Sequence, residues 1–453
     1  MNLSYYFLRW LAGTGLSVYF EEIAVHGRKH IPKKGPLMVV VNHPNALMDP
    51  LLVSTILKQR IGFLGKASLF SNKINSWFLS RVLHTIPVNR REDAAEGAVL
   101  DNAGSFQAAY EYLGKKGTIV IFPEGTSILE MKLRKLKTGT ARMALGFEEL
   151  NNFSGKLKIM VMAMNYSEAH RFRSKVTINI GKPFSIEVYK ELYKTDPVFA
   201  VQKLTGQIRK KLEKNLVLAG DKEQEHFLKQ VTRIYRDHLI GTLQLKRNSE
   251  TEFALLKRLG NAITYTNLQN PDAYNSLKEQ TAGYLKLLRK HKLHDEVFRH
   301  NPEGVKFYLF LLIRLLYLIV LAPLCVLGIM ANALPFVLPS KLFPLISREI
   351  EYKAAIVMTL GLILFPVFYI AEIYLFHSMI STDLWQTILF AFMLPLSGLL
   401  VLHYAKVLKV FRGLVKVRKM RRVESEVVAE LRLMKQNLIS DLEQIRIDFL
   451  GSE

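Results

Sequence analysis

A single cysteine, Cys325, is the only thiol in 453 residues, and it lies inside a long apolar run. An intramolecular disulfide and a cysteine zinc cluster are therefore excluded, and no thiol nucleophile is expected in a soluble site; the usage fits a reducing compartment. Acid is also scarce. Against 62 Lys+Arg stand 39 Asp+Glu, and the net charge of +23 favours an anionic partner: nucleic acid, a membrane surface or an acidic substrate. There is no Gly-x-Ser-x-Gly elbow, phosphate-binding loop, Gly-x-Gly-x-x-Gly or His-Glu-x-x-His stretch. Serine-hydrolase, nucleotide-binding and zinc-protease readings thus lack their signatures. The opening "MNLSYYFLRWLAGTGLSVYF" has neither a basic leader region nor a small-residue cleavage site. It reads as an apolar helix over 1–20, carrying only Arg9, that lies in a membrane interface.

What is present divides the chain. Residues 307–339, "FYLFLLIRLLYLIVLAPLCVLGIMANALPFVLP", form a run of 33 with Arg314 as the only charge. That exceeds the roughly 20 residues needed to cross a bilayer. Two further runs, 354–376 and 384–404, are each near crossing length and joined by a short polar break. From Lys406 to Arg422 the sequence holds eight Lys+Arg and no acid, a pattern that favours the cytoplasmic side. With both ends cytoplasmic the number of crossings must be even. Pro323, Gly328 and Pro335 offer places to turn, so 307–339 is expected to be a hairpin and the region 307–404 to contribute four membrane segments; three spans with the tail outside is the competing topology. Residues 406–453 are expected to be a basic juxtamembrane segment and an amphipathic helix that returns to the membrane surface or docks on the domain.

Over about 21–190, short β-rich runs ("LMVVVN", "GTIVIFP", "LKIMVMAMNY", "KVTINIG") alternate with helical periodicity. This predicts an α/β domain, a mixed sheet flanked by helices, followed by a helical connector over 191–301 and the transmembrane region. "VVVNHPNALMDP" (39–50) places His43 at the carboxyl edge of a strand, where open α/β sheets form ligand crevices. Pro44 and Asn45 favour a turn that folds Asp49 back to the imidazole. A histidine oriented by a carboxylate is a common device for removing a proton from a hydroxyl. Taken alone, such a pair is more often a satisfied hydrogen bond and a helix cap.

Downstream stand "TIPVNRRED" (85–93), "IVIFPEGTS" (119–127) and "VMAMNY" (161–166), each following an apolar run. Together with "NHPNALMD" they resemble the four blocks of the glycerolipid acyltransferase superfamily, which includes lysophosphatidic acid and glycerol-3-phosphate acyltransferases. The resemblance covers about 20–190, and NHP and FPEGT are its specific elements. It implies catalytic roles for His43, as general base on the acceptor hydroxyl, and Asp49, which orients it. It also implies substrate binding by Arg90 or Arg91, which would hold the acceptor phosphate, and by Glu124, Gly125 and Thr126. The donor would be acyl-CoA or acyl carrier protein, the acceptor glycerol 3-phosphate or its 1-acyl derivative, and the setting membrane lipid of an inner, plasma or endoplasmic-reticulum type. No metal, cofactor or nucleic acid is expected.

Three departures stand out. Five residues separate His43 from Asp49 where the family commonly has four, as in a branch related to membrane glycerol-3-phosphate acyltransferases. Ser127 occupies the place of the family's arginine after FPEGT, leaving Lys132, Arg134 or Lys137 to supply that charge. Met162 replaces the usual proline of the fourth block, which therefore receives no catalytic weight. Independently of the resemblance, residues 51–91 carry seven Lys+Arg and no acid, a positive rim suited to a phosphate-bearing acceptor and an anionic carrier. "HKLHDE" (291–296) is expected to be a solvated face and not a metal site. Glu372, within an apolar run, is the intramembrane charge most suited to test. The alternative class is a non-catalytic lipid- or CoA-binding membrane scaffold or transport protein.

Overall fold

The computed structural model describes residues 3–82, 84–89, 103–299 and 304–452. The chain divides into two units, Met1–Lys222 with Glu349–Met358, and Glu223–Arg348 with Thr359–Glu453.

The first unit is built on an eight-stranded mixed sheet. In chain order its elements are α1 (Leu3–Tyr19), β1 (Glu22–His26), β2 (Leu37–Val41), α2 (Met48–Ile56), β3 (Ile61–Lys66), α3 (Lys73–Trp77) and β4 (Thr85–Val88). There follow α4 (Ala103–Gly114), β5 (Thr118–Ile121), α5 (Gly139–Leu150), β6 (Lys158–Tyr166), β7 (Lys175–Ile180), β8 (Phe184–Ser185), α6 (Lys190–Thr195) and α7 (Pro197–Asn215). The strand order is β1-β7-β6-β2-β5-β3-β4, with β8 on β6. β2 lies between β5 and β6 and is parallel to both, whereas β6 and β7 are antiparallel.

A central strand covered on both faces must be apolar throughout, and Leu37-Met-Val-Val-Val41 is buried at every position. Alternation sends Met38 and Val40 to a core that includes residues of α4, α5 and α7. Leu37, Val39 and Val41 go to the opposite core, with Leu16 and Tyr19 of α1, Leu52 and Val53 of α2, and Ala354, Ala355 and Met358. α1 is fastened to α2 by the Arg9 guanidinium, which donates to the Thr55 and Lys58 carbonyls. It leaves Phe7 and Trp10 exposed.

The second unit is helical. It contains most of α8 (Lys222–Thr242), then α9 (Ser249–Gln269), α10 (Pro271–Lys290), α11 (Val305–Ile346), most of α12 (Lys353–Met379), α13 (Leu384–Val423) and α14 (Ser425–Leu450). The expected connector over 191–301 is therefore not one element. α7 buries Ala200, Leu204, Ile208 and Leu212 in the first unit, while α8 to α10 associate with α14. The Tyr235 hydroxyl donates to Glu443 at 2.5 Å and Gln280 Nε2 to Asp441 at 2.9 Å, so α14 docks on its own unit. The stretch 291–296 is not a solvated face either. Asp295 is buried and accepts from the Tyr284 hydroxyl at 2.7 Å and the Lys435 ammonium at 2.8 Å. Among the described residues there is no cluster of His, Cys, Asp and Glu able to hold a metal ion.

Among the described residues three helices, not four segments, are long and apolar enough to cross a membrane: Phe307–Ile346, Ile350–Met379 and Leu384–Arg421. The expected hairpin over 307–339 is replaced by α11, a continuous helix of 42 residues that keeps Pro323, Pro335, Pro339 and Pro344 inside it. A reversal in an apolar run strands several backbone groups without partners, whereas each proline removes one N–H, so the helix persists. Gly328, expected at a turn, instead lets helices approach. A Cβ there would lie 2.9 Å from the Ser397 carbonyl oxygen and 2.9 Å from Val401.

One asparagine joins three helices. Asn332 on α11 donates to Ser397 Oγ on α13 at 3.0 Å, and its Oδ1 accepts the Tyr369 hydroxyl of α12 at 2.7 Å. Replacing it by leucine leaves both hydroxyls without this partner. Asn332→Leu is expected to destabilise the helical unit by about 1 kcal/mol, read as a lower midpoint in denaturation of the detergent-solubilised protein.

Candidate active site

The site grows from the carboxyl edge of β2. Asn42 extends the β2–β6 ladder with its side chain, donating Nδ2 to the Met164 carbonyl at 3.0 Å and accepting Met164 N–H on Oδ1 at 2.7 Å. His43 follows, and the Pro44–Leu47 turn leads into α2. Asp49 lies in the first turn of α2, where the amino-terminal end of the helix favours negative charge. The turn accommodates the fifth intervening residue: Asn45 accepts the Met48 N–H at 2.8 Å and the Asp49 N–H at 3.1 Å on its carbonyl.

His43 Nδ1 and Asp49 Oδ2 are 2.9 Å apart, with 15% of the His43 side chain exposed and Asp49 fully buried. With Nδ1–H donated to the carboxylate, the neutral ring carries its lone pair on Nε2. Two further donors hold Asp49: the Asn45 N–H to Oδ2 at 2.8 Å and the Tyr166 hydroxyl to Oδ1 at 2.5 Å. Burial, reinforced by the adjacent Asp49 charge, pushes the Tyr166 phenol well above its ordinary range, so it remains a donor. Phe122 stacks on the imidazole with ring centroids 4.1 Å apart and planes 22° from parallel.

Glu124 sits in a turn that begins after β5, where Gly125 N–H donates to the Phe122 carbonyl at 3.2 Å and Pro123 takes the second position. Its buried carboxylate is committed to backbone: Oε1 accepts His43 N–H at 2.9 Å and Oε2 accepts Arg134 N–H at 3.0 Å. Glu124 thereby fixes the main chain that carries His43. Two bonds complete the closure, Ala46 N–H to Ser127 Oγ at 2.7 Å and Ile128 N–H to the His43 carbonyl at 3.3 Å. Ser127, standing where an arginine was expected, is thus a tie between the two loops.

The positive charge is distributed among the three cations named from sequence. Arg134 pairs with Glu130 at 3.3 Å, and Lys132 is exposed. The Lys137 side chain lies over Gly125, since a Cβ on that glycine would come within 2.8 Å of Lys137 Cε and 2.9 Å of its Nζ. Gly125 has φ of 76°, a left-handed conformation that a side chain strains. Thr126 is exposed beside it. Arg90 and Arg91 lie outside the described residues.

The structure therefore brings together His43, Asp49, Glu124, Gly125 and Lys137. Residue patterns alone missed Tyr166 and Phe122, and the tie that Ser127 makes to Ala46. Tyr166 closes the "VMAMNY" block, and its only sequence signal is a polar-tipped ring at the end of a buried strand.

Residues 22–167 match the family described as Acyltransferase. That matched stretch carries the His43–Asp49 and Phe122–Thr126 elements. The chain is similar to an uncharacterized acyltransferase of Schizosaccharomyces pombe, 24% identical over 378 residues that cover 65% of this chain and 52% of that protein. Two glycerol-3-phosphate O-acyltransferases of Saccharomyces cerevisiae are also similar. Glycerol-3-phosphate O-acyltransferase 2 is 30% identical over 138 residues, 30% of this chain and 18% of that one. Glycerol-3-phosphate O-acyltransferase 1 is 29% identical over 205 residues, 44% and 26% respectively. The chain thus spans about half or less of the length of each of these relatives.

Two substitutions test this arrangement. Glu124→Gln turns an amide donor towards one of two backbone N–H groups. It should cost about 1–3 kcal/mol, visible as a lower unfolding midpoint. Gly125→Ala adds backbone strain and a clash with Lys137, and a loss of about 1–3 kcal/mol is expected in the same assay.

Proposed function

We propose that this protein is a membrane O-acyltransferase of glycerolipid synthesis. It moves a fatty acyl group from acyl-CoA or acyl carrier protein to a hydroxyl of glycerol 3-phosphate or 1-acyl-glycerol 3-phosphate. The observation that carries the reading is the His43–Asp49 pair at 2.9 Å, with Asp49 buried and the imidazole still accessible. The match of residues 22–167 to the Acyltransferase family supports acyl transfer, and the names of the two yeast relatives support a glycerol-phosphate acceptor.

The chemistry is a direct transfer. His43 Nε2 accepts the proton of the acceptor hydroxyl as its oxygen attacks the thioester carbonyl. Asp49 stabilises the imidazolium through Nδ1–H. Collapse of the tetrahedral intermediate breaks the carbon–sulfur bond, and the imidazolium returns the proton to the departing thiolate. Glu124 acts through the backbone, holding His43 at the angle this requires.

Lys137, above Gly125, together with Arg90 or Arg91, would meet the acceptor phosphate; Thr126 borders the same turn. The acyl chain and the product both reside in lipid, which gives membrane-length helices on the same chain a purpose. The basic run from Lys406 to Arg422 supports a cytoplasmic face for the carboxyl-terminal end of α13.

The test is acyl transfer by detergent-purified protein. Labelled acyl-CoA and acyl carrier protein are each offered with glycerol 3-phosphate or its 1-acyl derivative. Product is expected with one acceptor, falling by about 10²–10⁴-fold in His43→Ala. Folded wild-type protein that yields no product with any pair would leave a non-catalytic lipid-binding protein, and His43→Ala that matches an active wild type would overturn His43 as the general base. Lys137→Ala is expected to raise KM for the phosphate-bearing acceptor by about tenfold with a smaller change in kcat.

A further inference from the structure

The Asp49 carboxylate receives donors on both oxygens. His43 Nδ1 and Asn45 N–H meet Oδ2 at 2.9 and 2.8 Å, whereas Tyr166 Oη meets Oδ1 at 2.5 Å. The last bond links residues 117 positions apart in sequence, and Asp49 is completely buried. Tyr166 is itself anchored: it ends β6, pairs in register with Val176, and contacts the Phe20 ring at 5.9 Å. Its hydroxyl therefore reaches Asp49 from the sheet, independently of the turn that carries His43.

That separation matters physically. The turn alone fixes Oδ2. A carboxylate held at one oxygen can still rotate about its Cβ–Cγ bond, and its charge concentrates on the oxygen facing the imidazole. A short hydrogen bond on the other oxygen fixes the plane and draws charge away from His43.

We propose that Tyr166 is a positioning residue for acyl transfer: its hydroxyl locks the Asp49 carboxylate plane and limits how strongly Asp49 holds the imidazolium of His43. The proposal rests on the reading of His43 as the general base. It gives the fourth sequence block a function through its last residue.

The experiment uses full-length Tyr166→Phe, with Phe20→Leu as a control that loosens the same aromatic contact without removing a donor to Asp49. In Tyr166→Phe the Asn45 N–H still keeps Oδ2 on His43, so the undiluted carboxylate charge faces the ring and favours imidazolium. The acid limb of the kcat/KM profile is therefore expected to move up by about half a pH unit, the size of one hydrogen bond's redistribution. The kcat should fall about tenfold with KM for the acceptor unchanged. In an Asp49→Asn background, Tyr166→Phe should add little further loss, because both changes act through one group.

Reactivity of His43 towards diethyl pyrocarbonate, followed against pH by mass spectrometry of the modified peptide, reads the same shift without turnover. An upward shift in this reactivity in a protein that transfers no acyl group would sink the transferase reading and keep the Tyr166–Asp49–His43 coupling. Active protein whose Tyr166→Phe profile and reactivity stay in place or move down overturns the proposal, as does an equal upward shift in Phe20→Leu.

Discussion

Two buried carboxylates need partners, and meeting that need shapes the site. Asp49 and Glu124 have little access to water, and an ionised group removed from solvent is tolerated only when hydrogen bonds replace its hydration. Glu124 finds backbone N–H groups on both sides, from His43 and Arg134. Asp49 finds an imidazole, a backbone N–H and a phenol. Each acid thereby joins chain segments far apart in sequence, and His43 is common to both sets. His43 is held through its backbone by one acid and through its ring by the other.

This explains why the expected functional roles divide as they do. Glu124 belongs to the specific FPEGT element, yet both of its oxygens are occupied by backbone amides, those of His43 and Arg134. Ser127 takes no phosphate-binding charge into the site and instead receives the Ala46 N–H. The cation over the turn is Lys137, which returns to Pro123 through its own N–H after the intervening loop. The cation beside Gly125 thus stands 10 residues after Ser127 in the chain, at Lys137.

The helical unit follows a different constraint. In apolar surroundings backbone groups satisfy themselves within helices, and side-chain polarity is concentrated at a few contacts. Asn332 serves that role for α11, α12 and α13, and Gly328 allows α11 and α13 to approach. Glu372 is of another kind, since its Oε2 is buried without a hydrogen-bond partner among the described residues.

The α/β character of the first unit, the buried β2 strand, the presence of membrane-length helices and the His43–Asp49 pair were all legible in the residue pattern. These depend on short-range pattern: apolar runs of fixed length, alternation, and a turn between two nearby residues. Tertiary structure decided the rest, because the partners are distant in sequence. Tyr166 reaches Asp49 only through the pairing of β6 beside β2, and Glu124 reaches His43 only because β5 flanks β2 on its other side. The continuity of α11 through four prolines was likewise decided by backbone hydrogen bonding along the whole helix, which no local turn signal outweighs.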